Sequence, residues 1–250
     1  ALAAGAFDVV IAHNESNAID IYRARTPKIL VCHNRRTFLR TTVKANRANA
    51  KELYDELLAH LRERVRFVFI SESKRDDYGV PGDVILPGID VEEFGGYTGE
   101  VAEVLRVGNM MRSRDLMFDV DLQERVCEGI PNSVVGVNPD IPGAREAQSF
   151  EELLNFYRTR RCLLHVTREA YEDGYNLAML EAMACGMPVV SLANATSPLT
   201  DGVDGLVAAD ADGLRAHIQS LLDDPQRARE LGARGRETVA ATFSMSAFVD

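Results

Sequence analysis

Two carboxylates eight positions apart, Asp173 and Glu181, carry the most chemistry in this chain. They stand in the string Asp173-Gly174-Tyr175-Asn176, four residues, then Glu181-Ala182-Met183-Ala184-Cys185-Gly186-Met187-Pro188-Val189-Val190. Asp173 falls in a glycine-containing loop and Glu181 about one turn into a helix. Asn176 is a suitable N-cap, able to accept from a first-turn N–H. Leu177 to Cys185 are good or tolerable helix formers, Gly186 supplies the position after the helix, and Pro188 cannot continue it. Pro188 to Ser191 is then a short β-branched run, as a buried parallel strand requires. The free N–H groups of such a helix start attract phosphate. A carboxylate can accept from both hydroxyls of a vicinal diol, as in dinucleotide folds. A diphosphate joined to a ribose fits both features.

Other residues could join that chemistry. His33 follows the apolar run ending Val31-Cys32, at a strand tip where ligands of parallel sheets bind; a neutral imidazole there could donate to a hydroxyl. His13 has a similar place after Asp8 to Ala12, whereas His60, His165 and His217 read as structural. Arg112 and Arg114 follow Gly108-Asn109, and guanidinium groups suit bidentate phosphate contact. Asp119-Val120-Asp121 has an Asp-x-Asp spacing, but at a helix start, where acids complement the dipole rather than hold a metal. No metal or other cofactor is expected. Glu172 stands beside Asp173 as a rival carboxylate.

The elements needed to position these groups alternate strand and helix, the order of a parallel sheet covered on both faces. Strands are expected at Asp8–Ala12, Lys28–Cys32, Arg66–Ser71, Val84–Leu86, Val104–Val107, Val134–Val137, Leu163–Val166 and Val189–Ser191. One long helix is expected over about Thr37 to Arg64, with Leu53, Leu57 and Leu61 in the core. Further helices are expected over Asp119–Glu128, Phe150–Thr159, Asp212–Leu222 and Pro225–Thr242. Gly95-Gly96-Tyr97-Thr98-Gly99 is the best linker candidate. The reading is residues 1–94 as a first domain, 95–100 as a linker and 101–250 as a second domain.

The chain is 46% hydrophobic and 26% charged, with a formal charge of −10. That balance argues against general nucleic-acid binding, and an acidic protein that binds a diphosphate must concentrate positive charge locally. Cys32, Cys127, Cys162 and Cys185 have no paired spacing and read as buried free thiols of a reducing compartment. No apolar run reaches membrane-spanning length, and no signal peptide is read in residues 1–12, so a cytoplasmic location is expected. Arg36, Arg40, Lys44, Arg47 and Lys51 recur at helical spacing and would form one basic stripe. Such a stripe could meet an anionic membrane surface or an anionic acceptor.

The string at 173–190 resembles the donor-site signature of the family-4 retaining glycosyltransferases of the GT-B fold, whose usual form is Glu-Gly-Phe-Gly, four residues, then Glu-Ala-Met-Ala-x-Gly-x-Pro-Val-Val. Val84 to Asp90 with Phe94, Val107-Gly108, Asp201 to Val207, and Phe243-Ser244 resemble further family segments in the same order. The resemblance implies an α/β chain of two Rossmann-like parallel-sheet domains with a cleft between them, the first incomplete. It implies that Glu181 holds the donor ribose and that Asp173, Gly174, Tyr175, Asn176 and Leu177 meet the donor sugar or phosphate. Gly108, Arg112 and Arg114 would meet the diphosphate, and His33 the transferred sugar, so His33, Asp173 and Arg114 are the expected catalytic group.

Three departures stand out. Asp173 replaces the family's Glu, Asn176 its second Gly, and Asn109 the Arg directly after Gly108. The family's opening strand, Gly-rich loop and helix have no counterpart, which would remove part of an acceptor site. The expected activity is retaining, metal-independent transfer of a sugar from a nucleotide diphosphate donor, a UDP-sugar first, to a hydroxyl acceptor. The alternative is a catalytically degenerate nucleotide-sugar-binding partner subunit. A GT-B epimerase acting on a UDP-sugar would need an acid/base pair, for which His33 and one carboxylate are a thin case.

Overall fold

A computed structural model describes residues 7–15, 18, 22, 24–44 and 50–249. The chain divides into two compact units, Ala1–Leu86 with Ala170–Glu172, and Pro87–Glu169 with Asp173–Asp250. The glycine-rich 95–100 segment belongs to the second unit, where the N–H groups of Thr98 and Gly99 donate to Arg158 O at 2.8 and 3.0 Å.

In the first unit the described elements run β1 (Val10–Ala12), β2 (Lys28–Cys32), α1 (Arg36–Lys44), α2 (Ala50–Arg62), β3 (Arg66–Phe69), α3 (Glu72–Tyr78) and β4 (Asp83–Val84). The strands form a parallel sheet in the order β1-β2-β3-β4. Leu30, Leu58, Leu61, Phe67, Phe69 and Tyr78 fill its core. The Tyr54 and Tyr78 phenols both donate to Glu15, which satisfies a carboxylate inside an apolar cluster.

The single helix expected over Thr37 to Arg64 is two helices packed on each other, because Asp55 accepts from both Arg36 (2.8 Å) and Arg40 (3.0 Å). In one straight helix these residues would stand tens of ångströms apart at about 1.5 Å per residue. The basic stripe therefore does not lie along one helix, and two of its members already share a carboxylate. Arg47 lies outside the described residues, as does the side chain of Lys44, and Lys51 sits on α2. Leu53, expected in the core, is exposed, while Leu61 is fully buried.

The second unit runs β5 (Val101–Val107), α4 (Asp115–Phe118), α5 (Val120–Cys127), β6 (Asn132–Val135), α6 (Phe150–Thr159), β7 (Arg160–His165), α7 (Leu177–Cys185), β8 (Val189–Leu192), β9 (Leu206–Ala208), α8 (Ala211–Asp223), α9 (Pro225–Thr242) and α10 (Met245–Val249). Its parallel sheet has the order β6-β5-β7-β8-β9. Val104, Cys162, Leu164, Val190 and Leu206 on one sheet face pack with Leu214, Ile218 and Leu221 of α8. The helix expected from Asp119 starts one residue later, because Asp119 takes a left-handed φ of 46° and separates α4 from α5. Among the described residues no helix is long and apolar enough to cross a membrane.

Candidate donor site

The helix α7 forms over the expected span. Asn176 has extended backbone and its side chain accepts from Met179 N at 2.9 Å. Gly186 closes the helix with φ 89°, where its N–H reaches Ala182 O and Met183 O. That left-handed turn favours glycine. Most of the helix is buried, while Leu177 at its start is exposed.

The loop before α7 is fixed by the loop after β8. Gly174 N donates to Thr196 Oγ1 at 2.7 Å, and Asn194 Oδ1 accepts from Thr196 N and Oγ1. Asn194 Nδ2 donates to Thr167 Oγ1 at 3.3 Å, which ties the same loop to the end of β7. A Cβ on Gly174 would sit 2.6 Å from Ser197 N and 2.8 Å from Ser197 Cα. Glycine is thus required there for the close approach of two backbones. Tyr175 packs its ring on Phe243, with centroids 5.2 Å apart.

Glu181 is half-buried on α7. Its Oε2 accepts from the Tyr157 phenol at 3.0 Å, and among the described residues Oε1 has no hydrogen-bond partner. Burial raises the pKa of Glu181, and the Tyr157 bond opposes that rise. Asp173, by contrast, has 0% exposure.

The loop after β5 is clamped to the loop after β6. Asn138 Nδ2 donates to Gly108 O at 2.6 Å, and its Oδ1 accepts from Met111 N at 2.8 Å. Asn109 Oδ1 accepts from Val137 N at 2.8 Å. The residue that stands in place of the expected arginine therefore serves the loop. Met110 in this loop has a positive φ of 52°. Backbone held in a sparsely populated region clusters at functional sites.

The two arginines have different surroundings. Arg112 is engaged by Asp121 (2.5 Å) and Glu124 (2.6 Å). Arg114 lies over the Phe118 ring at 5.0 Å and reaches Met117 Sδ at 3.5 Å. Asp119 caps α5 and pairs with Arg168 at 2.9 Å, which holds its carboxyl below the usual range. Among the described residues no group of three or more His, Cys, Asp or Glu could hold a metal ion.

In the first unit, His33 follows β2 and His13 follows β1. Their rings stack with centroids 5.3 Å apart, and His13 Nδ1 lies 3.0 Å from His33 Nε2. Burial, then the charge of His13, then Lys74, lowers the pKa of His33. Lys74 is itself buried and pairs with Glu172 at 2.6 Å. Sequence reasoning named His13 and Glu172 as lesser candidates and passed over Lys74, Asn138, Tyr157 and Thr196. A buried tyrosine needs an acceptor, but only packing shows which acceptor it finds.

A helix N-terminus, a glycine loop and a half-buried carboxylate thus stand together after β7 of a parallel α/β sheet, where ligands of such sheets bind. Residues 120–250, just over half of the chain, match the family model described as "Glycosyl transferase-like", and the chain belongs to that family. One similar protein is the MMP alpha-(1->4)-mannosyltransferase of Mycolicibacterium hassiacum, 39% identical over 77 residues, or 29% of this chain and 19% of the relative. A second is the GDP-mannose-dependent monoacylated alpha-(1-6)-phosphatidylinositol monomannoside mannosyltransferase of Corynebacterium glutamicum. It is 40% identical over 75 residues, 29% of this chain and 20% of the relative. The chain thus spans about a fifth of the length of these curated relatives. Anabaena HepE, solved in complex with UDP and glucose, superposes with a TM-score of 0.72 at 13% identity, over 97% of this chain and 76% of that one. The fold is that of the GT-B glycosyltransferases.

Proposed function

We propose that the chain binds a nucleoside diphosphate sugar at α7 and transfers the sugar to a hydroxyl acceptor with retention and without a metal. One observation carries the reading: Glu181, about one turn into α7, is held by Tyr157 through one oxygen and has no other hydrogen bond among the described residues. That geometry suits a ribose diol next to a diphosphate. In transfer, the anomeric C–O bond to the diphosphate breaks and a bond to the acceptor oxygen forms. The acceptor proton passes to the leaving diphosphate. Arg114, which follows the loop after β5 and lies over the Phe118 ring, is assigned to the developing charge. In the first unit, the lowered pKa of His33 keeps its imidazole neutral near pH 7.

The donor base is open to the same test. A UDP-sugar is the sequence expectation, and HepE was solved with UDP. The relatives at about 40% identity include a GDP-mannose-dependent enzyme, which brings GDP-mannose forward as the first sugar donor to try. A second reading, binding without transfer, is favoured by the complete burial of Asp173. Calorimetric titration with UDP, GDP and ADP in EDTA, on the parent and on Glu181→Ala, tests the site. Saturable binding of one nucleotide, lost in the variant, is expected. Equal binding by the variant would remove Glu181 from the site. Slow hydrolysis of the matching sugar nucleotide then separates transfer from binding alone.

A further inference from the structure

Tyr157 sits on α6 with no exposed surface. Its phenol donates across to α7, to Oε2 of Glu181. A phenol buried this completely must find an acceptor, so the bond fixes one oxygen of the carboxylate and the plane of the group. Glu181 has no other hydrogen bond among the described residues. Free rotation about its last torsion is broad in an unheld glutamate. Held this way, only Oε1 is presented for a ligand.

Resting on the reading of Glu181 as the ribose residue, we propose that Tyr157 is a positioning residue for donor recognition: it orients the Glu181 carboxylate so that Oε1 accepts from the ribose diol. The phenol bond does a second thing. Burial drives Glu181 toward the neutral acid, which would put a proton where the ribose needs an acceptor, and the Tyr157 bond favours the ionised form. Tyr157 itself stays protonated, since its own pKa is pushed well above the ordinary tyrosine value by burial and by Glu181. It remains a donor across the working pH range.

The test titrates GDP and UDP, and their 2′,3′-dideoxy counterparts, into the parent, Tyr157→Phe and Glu181→Ala. Loss of a hydrogen bond to a charged group predicts that the ribose preference shrinks by about tenfold in Tyr157→Phe, with dideoxy affinity unchanged. Without the phenol, Glu181 protonates at higher pH, so as pH falls the variant loses its remaining preference before the parent does. Ribose preference in Tyr157→Phe that matches the parent across the pH range overturns the proposal. Equal weakening of ribose and dideoxy nucleotides also overturns it, since that marks a packing defect. Preference intact in Glu181→Ala would instead remove the ribose reading on which the proposal rests. Should Tyr157→Phe fail to fold, Glu181→Gln keeps an acceptor for the phenol. Tyr157 then selects the amide oxygen and turns the NH2 toward the diol, so ribose preference is lost with the thermal midpoint held. Retained preference in that variant overturns the proposal.

Discussion

His165 ends β7 with 5% exposure, and its Nε2 is buried without a hydrogen-bond partner. Burial alone lowers its pKa from 6.5 to about 4. The unfolded chain therefore takes up the proton first, and stability is lost as pH falls from about 6.5 toward about 4. The full difference is worth about 3 kcal/mol. Urea midpoints at two pH values, near 7 and near 4.5, should fall more steeply in the parent than in His165→Gln; equal slopes would refute the assignment. Glu181, raised by burial, titrates in both proteins and cancels in that comparison. At this scale, sequence was informative where a motif is local. Asp173, Gly174, Asn176 and Glu181 sit within one loop and one helix, so their spacing alone suggests their use. Tyr157, Asn138 and Thr196 meet their partners across 24, 30 and 22 positions, and nothing in their own neighbourhoods marks them.

The helix α7 shows what element-level reasoning can reach. A capping Asn, a run of good formers and a closing Gly leave one solution, and the helix spans the expected residues. Removing the cap leaves a first-turn N–H without its side-chain acceptor. Asn176→Ala should lower stability by about 1 kcal/mol, while Asn176→Ser stays near the parent; thermal melts check both, and an unchanged midpoint in the alanine variant would deny the cap its weight. The pair α1 and α2 shows the opposite. Helical spacing continued through Lys44 and Arg47, so periodicity read one helix. The deciding contact, Asp55 against Arg36 and Arg40, is tertiary and was hidden from a reading along the chain. Asp119 sets the start of α5 one residue after the expected position, through a left-handed φ that aspartate tolerates better than most residues.

At the scale of the molecule, alternating strands and helices made two parallel sheets legible. The second unit holds the family match apart from Ala170–Glu172, and it holds the whole of α7. The boundary at Leu86 was less legible than the glycine-rich 95–100 segment suggested, because that segment is pinned to Arg158 by main-chain bonds. Glycine content marks where a chain can turn, not where two cores part. All four cysteines are buried free thiols. None should react with an alkylating agent in native buffer, and all four should react in denaturant; mass spectrometry of the labelled peptides reads this directly, and fast native labelling of any of them would contradict its burial.

Those thiols are also unevenly shared. Cys32 belongs to the first unit, and Cys127, Cys162 and Cys185 belong to the second. The sequence thus carries its own reporter groups, one address for each half. A pulse of alkylation at rising urea gives two unfolding curves from a single unlabelled, unmutated sample. If Cys32 becomes reactive at lower urea than the other three, the half that bears His13 and His33 opens while the half that bears α7 is still closed.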